Sequence, residues 1–307
     1  MRIGVSLTGP TNADAFETLG AEVRRAVDDG FASAWMSNIF GLDALTALAV
    51  VGSQVPGIEL GTAVVPTYPR HPAALAQQAL TTNLAIGGRL ALGIGLSHKI
   101  VIEGMYGHSY DRPVRHMDEY LSVLLPLING ENAAFEGETL SAQIGLTIPR
   151  PRRPPVLLAA LAPRMLKLAG ARAEGPVLWM TGPATVRDHI VPTITAAADA
   201  AGRPAPRVVC VLPVSVTGDV DGARAEAARA FAVYNRLPSY RAMLDREGAA
   251  DPGGVAIVGD EDSVTEQIAA LARFGVTDFV AGEFAGGDDA ARTRALLTKL
   301  AVDGVAG

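Results

Sequence analysis

Five histidines, at positions 71, 98, 108, 116 and 189, carry the side chain whose ordinary pKa suits proton transfer near neutrality. No two are spaced HxxxH, the arrangement that sets a zinc-binding pair on one helix face. No GxSxG elbow is present to expose a nucleophilic serine, so hydrolase chemistry lacks its usual frame. The single cysteine, Cys210, lies in an apolar run. It has no disulfide partner within the chain and reads as a small buried hydrophobe. What remains is chemistry carried by an organic cofactor, with the protein binding and orienting it.

Three stretches suit that role. LALGIGLSH (90–98) is an apolar run that reaches Gly93 and Gly95 and turns polar at Ser97 and His98. A dinucleotide fingerprint would need a third glycine where His98 stands. The run therefore reads as a strand end, and His98 as a general acid, a ligand hydrogen-bonder or a plain loop residue. GTAVVPTYPRHP (61–72) places two prolines, Tyr68, Arg70 and His71 just after a strand. Either the prolines shape a turn into a helix starting at Pro72, or the strand end leans on a flat ligand with Tyr68 and Arg70 at its rim. AALAPRMLKLAG (159–170) ends a strand in small residues before Pro163 opens a helix. Bare backbone N–H groups at a helix start attract anions, and Arg164 adds a cation. Ordinary loop packing is the alternative.

The elements that would position these residues alternate regularly. Apolar runs predict strands at 2–7, 32–37, 58–65, 90–95, 155–160, 176–180, 207–214 and 277–282. Helical spacing predicts helices at about 16–29, 43–54, 72–86, 115–128, 163–173, 184–201, 221–235 and 288–301. Two segments break the rhythm: 131–150 reads as an inserted hairpin and 237–274 as extra helices. Eight strand–helix units predict one (β/α)8 barrel over residues 1–307, rather than a doubly wound sheet with a small domain. In such a barrel chemistry sits at the C-terminal strand ends.

The chain has 307 residues, 49% hydrophobic and 19% charged, with a net charge of −6. That suits a large core and argues against nucleic acid or anionic membrane as a partner. No apolar run reaches the ~18 residues of a membrane span. MRIGVSLTGP reads as a first strand rather than a leader, which predicts a cytoplasmic protein.

The stretch GTAVVPTYPRHPAALAQQALTTNLAIGGRLALGIG (61–95) resembles the signature of the bacterial luciferase-like superfamily. SHKIVIEGMYGHSYDRPVRHMDEYLSVLLPLINGE (97–131), PVLLAALAPRMLKLAG (155–170) and LWMTGP (178–183) are similar to its deazaflavin-dependent branch, the coenzyme F420 oxidoreductases. The resemblance implies a (β/α)8 barrel, commonly a homodimer, with coenzyme F420 in the barrel mouth. It implies a non-prolyl cis peptide at Ala63–Val64 backing the ring. It places Asn38 near the ring, Gly95, Leu96, Ser97 and His98 along the ring edge or tail, and Ala160, Leu161, Ala162, Pro163 and Arg164 around the phosphate. Pro66, Ala159 and Thr181 complete the cofactor set. Asn38, His98 and Tyr68 are the candidates for catalytic contacts.

Some positions depart from the family pattern. Ala162 stands where relatives often carry glycine. Ser37-Asn38 replaces the acid–His pair of the sugar-phosphate and alcohol dehydrogenases, and Leu96-Ser97 lacks their glutamate. The expected activity is hydride transfer between coenzyme F420 and a small organic substrate with an activated double bond, imine or carbonyl. The alternatives are an FMN-dependent monooxygenase and a non-catalytic cofactor-binding barrel. The substrate pocket is expected from loops near 8–14, 66–70, 98–113 and 237–258.

Overall fold

Strand β1 (Arg2–Ser6) is followed by helix α1 (Ala15–Asp28), β2 (Ser33–Met36), α2 (Ala44–Gln54) and β3 (Glu59–Thr62). The chain breaks at Ala63–Val64, whose peptide is cis as the resemblance implies, and resumes as β4 (Val65–Pro66). Next come α3 (Pro72–Ala85), β5 (Leu90–Gly95), a short α4 (Lys99–Gly104) and α5 (Pro113–Asn129). The hairpin β6 (Ala133–Glu136) and β7 (Ser141–Ile144) stands apart from the main sheet. The second half runs β8 (Val156–Ala159), α6 (Pro163–Arg172), β9 (Gly175–Trp179), α7 (Pro183–Thr185), α8 (Val191–Ala200), β10 (Val209–Val216) and α9 (Val220–Ala230). It closes with α10 (Pro238–Glu247), β11 (Ile257–Gly259), α11 (Glu261–Arg273), β12 (Asp278–Glu283) and α12 (Gly287–Asp303). This computed structural model describes residues 1–305, so the last two residues of the 1–307 span lie outside the described residues.

Local chemistry sets several boundaries. Asp43 and Asp260 cap α2 and α11 by accepting from the backbone N–H groups of Thr46 and Ser263, each at 2.9 Å. Pro72 and Pro163 occupy first-turn positions that need no N–H donor.

The strands pair in parallel in the order β1-β2-β3-β5-β8-β9-β10-β12, and β12 pairs back to β1. This is the closed (β/α)8 barrel. The extra-helix reading of 237–274 needs one correction, because it also contains the short strand β11. β9 covers the first half of one edge of β10, from Val209 to Val211, and β11 covers the second half, from Val214 to Val216. Three residues are too few for a period to register in sequence.

Side chains alternate between two cores. Outward residues such as Ala34, Leu92, Leu158 and Cys210 pack under the helices. Inward residues Trp35, Ala91, Leu157, Val177, Val209 and Val280 fill the barrel. Trp35 is the bulkiest plug, and Gly61 gives it room: a Cβ at Gly61 would stand 2.2 Å from the indole. Burying about 200 Å² of indole contributes up to ~5 kcal/mol of transfer free energy.

Candidate active site

The C-terminal strand ends form the mouth. On one wall, β3 bulges at Ala63–Val64, and β5 makes room for it. A Cβ at Gly93 would fall 2.0 Å from the Thr62 carbonyl oxygen, and one at Gly95 would fall 2.6 Å from the Val64 side chain. Thr62 Oγ1 donates to the Gly93 carbonyl at 2.8 Å and accepts from the Gly93 N–H at 2.9 Å. The two glycines of GIG therefore serve strand packing: they admit the neighbouring bulge, and the surface facing the mouth is Ala63 and Val64. The bulge packs with Trp179 on the inward core.

Past the bulge, Pro66 is buried in β4 beside Gly95, and the Thr67 N–H donates to the Gly95 carbonyl at 2.9 Å. Tyr68 stacks on His116, with ring centroids 3.9 Å apart and planes 5° from parallel, and on Tyr110 at 5.3 Å. Its hydroxyl is buried without a hydrogen-bond partner. Tyr110 donates to the Ser97 carbonyl at 3.2 Å, and Ser97 adopts a left-handed φ of 60°. His116 shares a 3.1 Å hydrogen bond between Nε2 and Thr67 Oγ1. Its place under Tyr68 was not legible in sequence, because α5 is brought there by the barrel. Arg70, expected at the rim, instead pairs with Asp43, which also accepts from Gln78 at 2.7 Å.

Burial controls the proton inventory. It lowers the pKa of His98 and carries His116 down to about 4, where neighbouring His108 pushes the same way against Glu119. It raises Tyr68, Tyr234 and Tyr240, and pushes Tyr110 up to about 12. The mouth therefore offers neutral donors and acceptors at pH 7. Among the described residues, no three His, Cys, Asp or Glu side chains gather to hold a metal ion.

The opposite wall and roof are aromatic. Trp179, at the end of β9, meets Phe231 and Tyr234 edge-on at 5.5 and 5.7 Å. Tyr234 meets Tyr240 at 4.9 Å, Tyr240 reaches His98 at 5.6 Å, and Phe231 reaches Phe284 at 6.4 Å. The segment 231–240 thus ties the ends of β5, β9 and β12 together. Tyr234 faces the Trp179 indole, yet the buried indole N–H has no partner in hydrogen-bonding geometry. Trp179 lies at a C-terminal strand end, where site residues were expected, and Tyr240 lies in the 237–258 loop expected to line the pocket, whereas Phe231 and Tyr234 were not among the expected site residues. Those two fall in the segment 221–235, which was read as a helix.

Two helix starts differ. α7 is capped by Glu247, whose carboxylate accepts from the Ala184 and Thr185 N–H groups at 3.0 and 2.7 Å. α6 starts at Ala162-Pro163 with no side-chain cap, and Ala162, Pro163 and Arg164 are exposed. Ala159 and Leu161 are half-buried, Ala160 is buried, and His189 Nε2 lies 2.9 Å from the Leu161 carbonyl oxygen. Leu96 and His98 are half-buried at the mouth beside Ser97. Asn38 Oδ1 accepts from the Ala44 N–H at 2.9 Å, so its carbonyl braces the β2–α2 loop and only its NH₂ remains free. Thr181 is fully buried, with its hydroxyl donating to the Trp179 carbonyl at 3.2 Å, which turns it away from the mouth.

Comparison with known proteins matches this architecture. The family model described as luciferase-like monooxygenase covers residues 1–278. The 5,10-methylenetetrahydromethanopterin reductase of Archaeoglobus fulgidus is 28% identical over 303 residues, 87% of this chain and 89% of its own. A putative coenzyme F420-dependent oxidoreductase of Mycobacterium tuberculosis is 31% identical over 193 residues, 57% of this chain and 54% of its own. The coenzyme F420-dependent tetrahydromethanopterin reductase of Methanopyrus kandleri shares the fold, with a TM-score of 0.84 at 21% identity and 99% of each chain covered. With a family match running from the first strand to the start of the eighth barrel strand, the chain belongs to the luciferase-like monooxygenase family.

Proposed function

We propose that this chain is an oxidoreductase that passes a hydride between coenzyme F420 and a small organic substrate carrying an activated double bond, imine or carbonyl. The observation that carries this reading is the buried, unpartnered Trp179 N–H on the inner wall, which packs on the same core as Ala63 and Val64. An orphaned donor in an apolar wall fits a planar ligand with acceptors along its edge, since leaving it unpaired costs about 1–3 kcal/mol. The uncapped start of α6 fits the same ligand's phosphate. The relatives named for coenzyme F420 support the choice of cofactor.

When bound, the deazaflavin would supply the hydride donor or acceptor. Ala63 and Val64 would brace one ring face and leave the other open to substrate. Trp179 Nε1 and the free Asn38 NH₂ would donate at the ring edge. Gly95 to His98 would flank the ring or tail. The N–H groups after Ala162, with the Arg164 cation, would hold the phosphate, beside Ala159, Ala160 and Leu161. Thr181 enters only through the backbone it orders, and Pro66 only through the wall it closes. Neutral His98 and Tyr68 would donate to charge developing on the substrate, where water is excluded by the 231–240 roof. In this reading residues 1–307 act as one barrel domain, and two copies pair as a homodimer.

The test is anaerobic mixing of the protein and reduced coenzyme F420 with enones, imines and ketones in turn. Substrate-dependent reoxidation of the coenzyme is the expected result. Oxygen consumption with reduced FMN, together with no reoxidation of F420 by any acceptor, would assign the chain to the flavin monooxygenases.

A further inference from the structure

At the far end of the barrel, where the strands begin, a cavity of about 550 Å³ opens between the starts of β1, β3, β5, β8 and β10. Its charged lining is Arg2, Arg89, Arg152, Arg153, Arg207 and Glu59. Three of the arginines are matched by carboxylates. Arg207 binds Glu59 at 2.5 Å and Asp278 at 2.7 Å, and Arg2 shares both at 3.1 and 3.4 Å. Arg153 binds Glu174 at 2.6 Å.

The other two are not matched. Among the described residues, Arg89 donates only to main-chain carbonyls, those of Ile58 at 2.5 Å, Gly52 at 2.7 Å and Val55 at 3.2 Å. Arg152 forms no ion pair or side-chain hydrogen bond among the described residues. Yet its backbone is pinned: its carbonyl accepts from Asn83 Nδ2 at 2.7 Å. Its stem lies so close over Gly88 that a Cβ there would sit 3.1 Å from Arg152 Cβ. Five guanidinium groups thus line the concavity with one carboxylate, Glu59, while Asp278 and Glu174 pair with them from outside its lining, on a chain of net charge −6.

A local excess of two positive charges in a cleft focuses field and draws anions. Planar guanidinium forks suit phosphate oxygens in bidentate geometry. The volume falls within the ~300–1,000 Å³ range of small-molecule sites. We propose that this basin is a second ligand site, separate from the mouth, that binds a phosphate-bearing small anion with Arg152 as its free anchoring arm. Arg153 and Arg89 line the bound phosphate, and the Arg2–Glu59–Arg207–Asp278 network forms a rigid floor.

The test titrates the full-length protein with inorganic phosphate, pyrophosphate and ADP, each against sodium chloride of matched ionic strength, by calorimetry and thermal shift. Saturable binding of at least one is expected, with pyrophosphate at least as tight as phosphate. Tighter binding of ADP than pyrophosphate would identify a nucleotide as the source of the phosphate group. Arg152→Ala should weaken binding at least tenfold and leave the ligand-free melting temperature unchanged, because that side chain has no partner to lose. Arg164→Ala, at the mouth, should leave this binding intact. The proposal fails if no phosphate species binds beyond the salt control, or if binding survives Arg152→Ala.

Discussion

At the residue scale, the account rests on polar groups that the fold buries without partners and on histidines it keeps neutral. Trp179→Phe removes an N–H that binds nothing in the free protein. Thermal stability should therefore hold or rise slightly, since an unsatisfied donor goes with it. Affinity for coenzyme F420, read by calorimetry, should fall roughly tenfold, equivalent to about 1.4 kcal/mol for one lost hydrogen bond. His116 supplies a pH signature. Burial holds it at about 4 against an ordinary 6.5. Between those values the unfolded chain binds a proton that the folded chain refuses, so stability must fall as pH drops from 6.5 towards 4. The contribution is at most roughly 3 kcal/mol. Denaturant midpoints measured across that window should decline in the native protein, and His116→Gln should flatten that part of the decline. None of these roles was visible beforehand. Tyr68 and His98 were singled out by their place after a strand, but their neighbours His116 and Tyr240 come from elements 48 and 142 residues further along the chain. Sequence spacing does not report contacts at that range.

At the element scale, the join between β3 and β5 decides the shape of the mouth. Gly93 has the Thr62 carbonyl where a side chain would begin. Gly93→Ala should push β3 off β5, cost about 1–3 kcal/mol as overpacking, and lower the melting temperature by about 2–8 °C. Gly218→Ala is the control, since a Cβ there would meet nothing within 4 Å, and it should change little. The eight barrel strands were legible because each is a short apolar run closed by a turn, whereas the break at Ala63–Val64 was implied only by the family resemblance. The strand contacts of Gly93 and Gly95 were not legible, because the groups that fill the space beside them, the Thr62 carbonyl and the Val64 side chain, belong to another part of the chain. The short β11 and the Phe231–Tyr234 part of the aromatic roof were missed for a related reason. Each is defined by what it packs on, β10 in one case and Trp179 in the other, and not by its own pattern.

At the scale of the whole molecule, the two ends of the barrel are chemically unlike. The mouth is lined by aromatic rings and by tyrosines and histidines that burial keeps neutral, with the uncapped start of α6 and Arg164 placed to hold an anion. The floor is ionic and tied together by Arg207, which also sits 5.6 Å beneath the Trp35 ring. Among the described residues no helix is long and apolar enough to cross a membrane. The barrel class followed from the strand–helix rhythm, whereas the polarity between its ends emerged only once the strands closed into a ring.

The most direct measurement is a paired titration of the apoprotein with coenzyme F420 and with FMN, followed by tryptophan fluorescence. The chain has two tryptophans, Trp35 inside the barrel and Trp179 at the mouth. The account predicts saturable quenching by coenzyme F420 at micromolar concentration or below. It predicts weaker or no saturation with FMN, and loss of most of the quenching in Trp179→Phe. Tighter binding of FMN, or quenching unchanged by that substitution, would contradict the proposed cofactor and its place in the mouth.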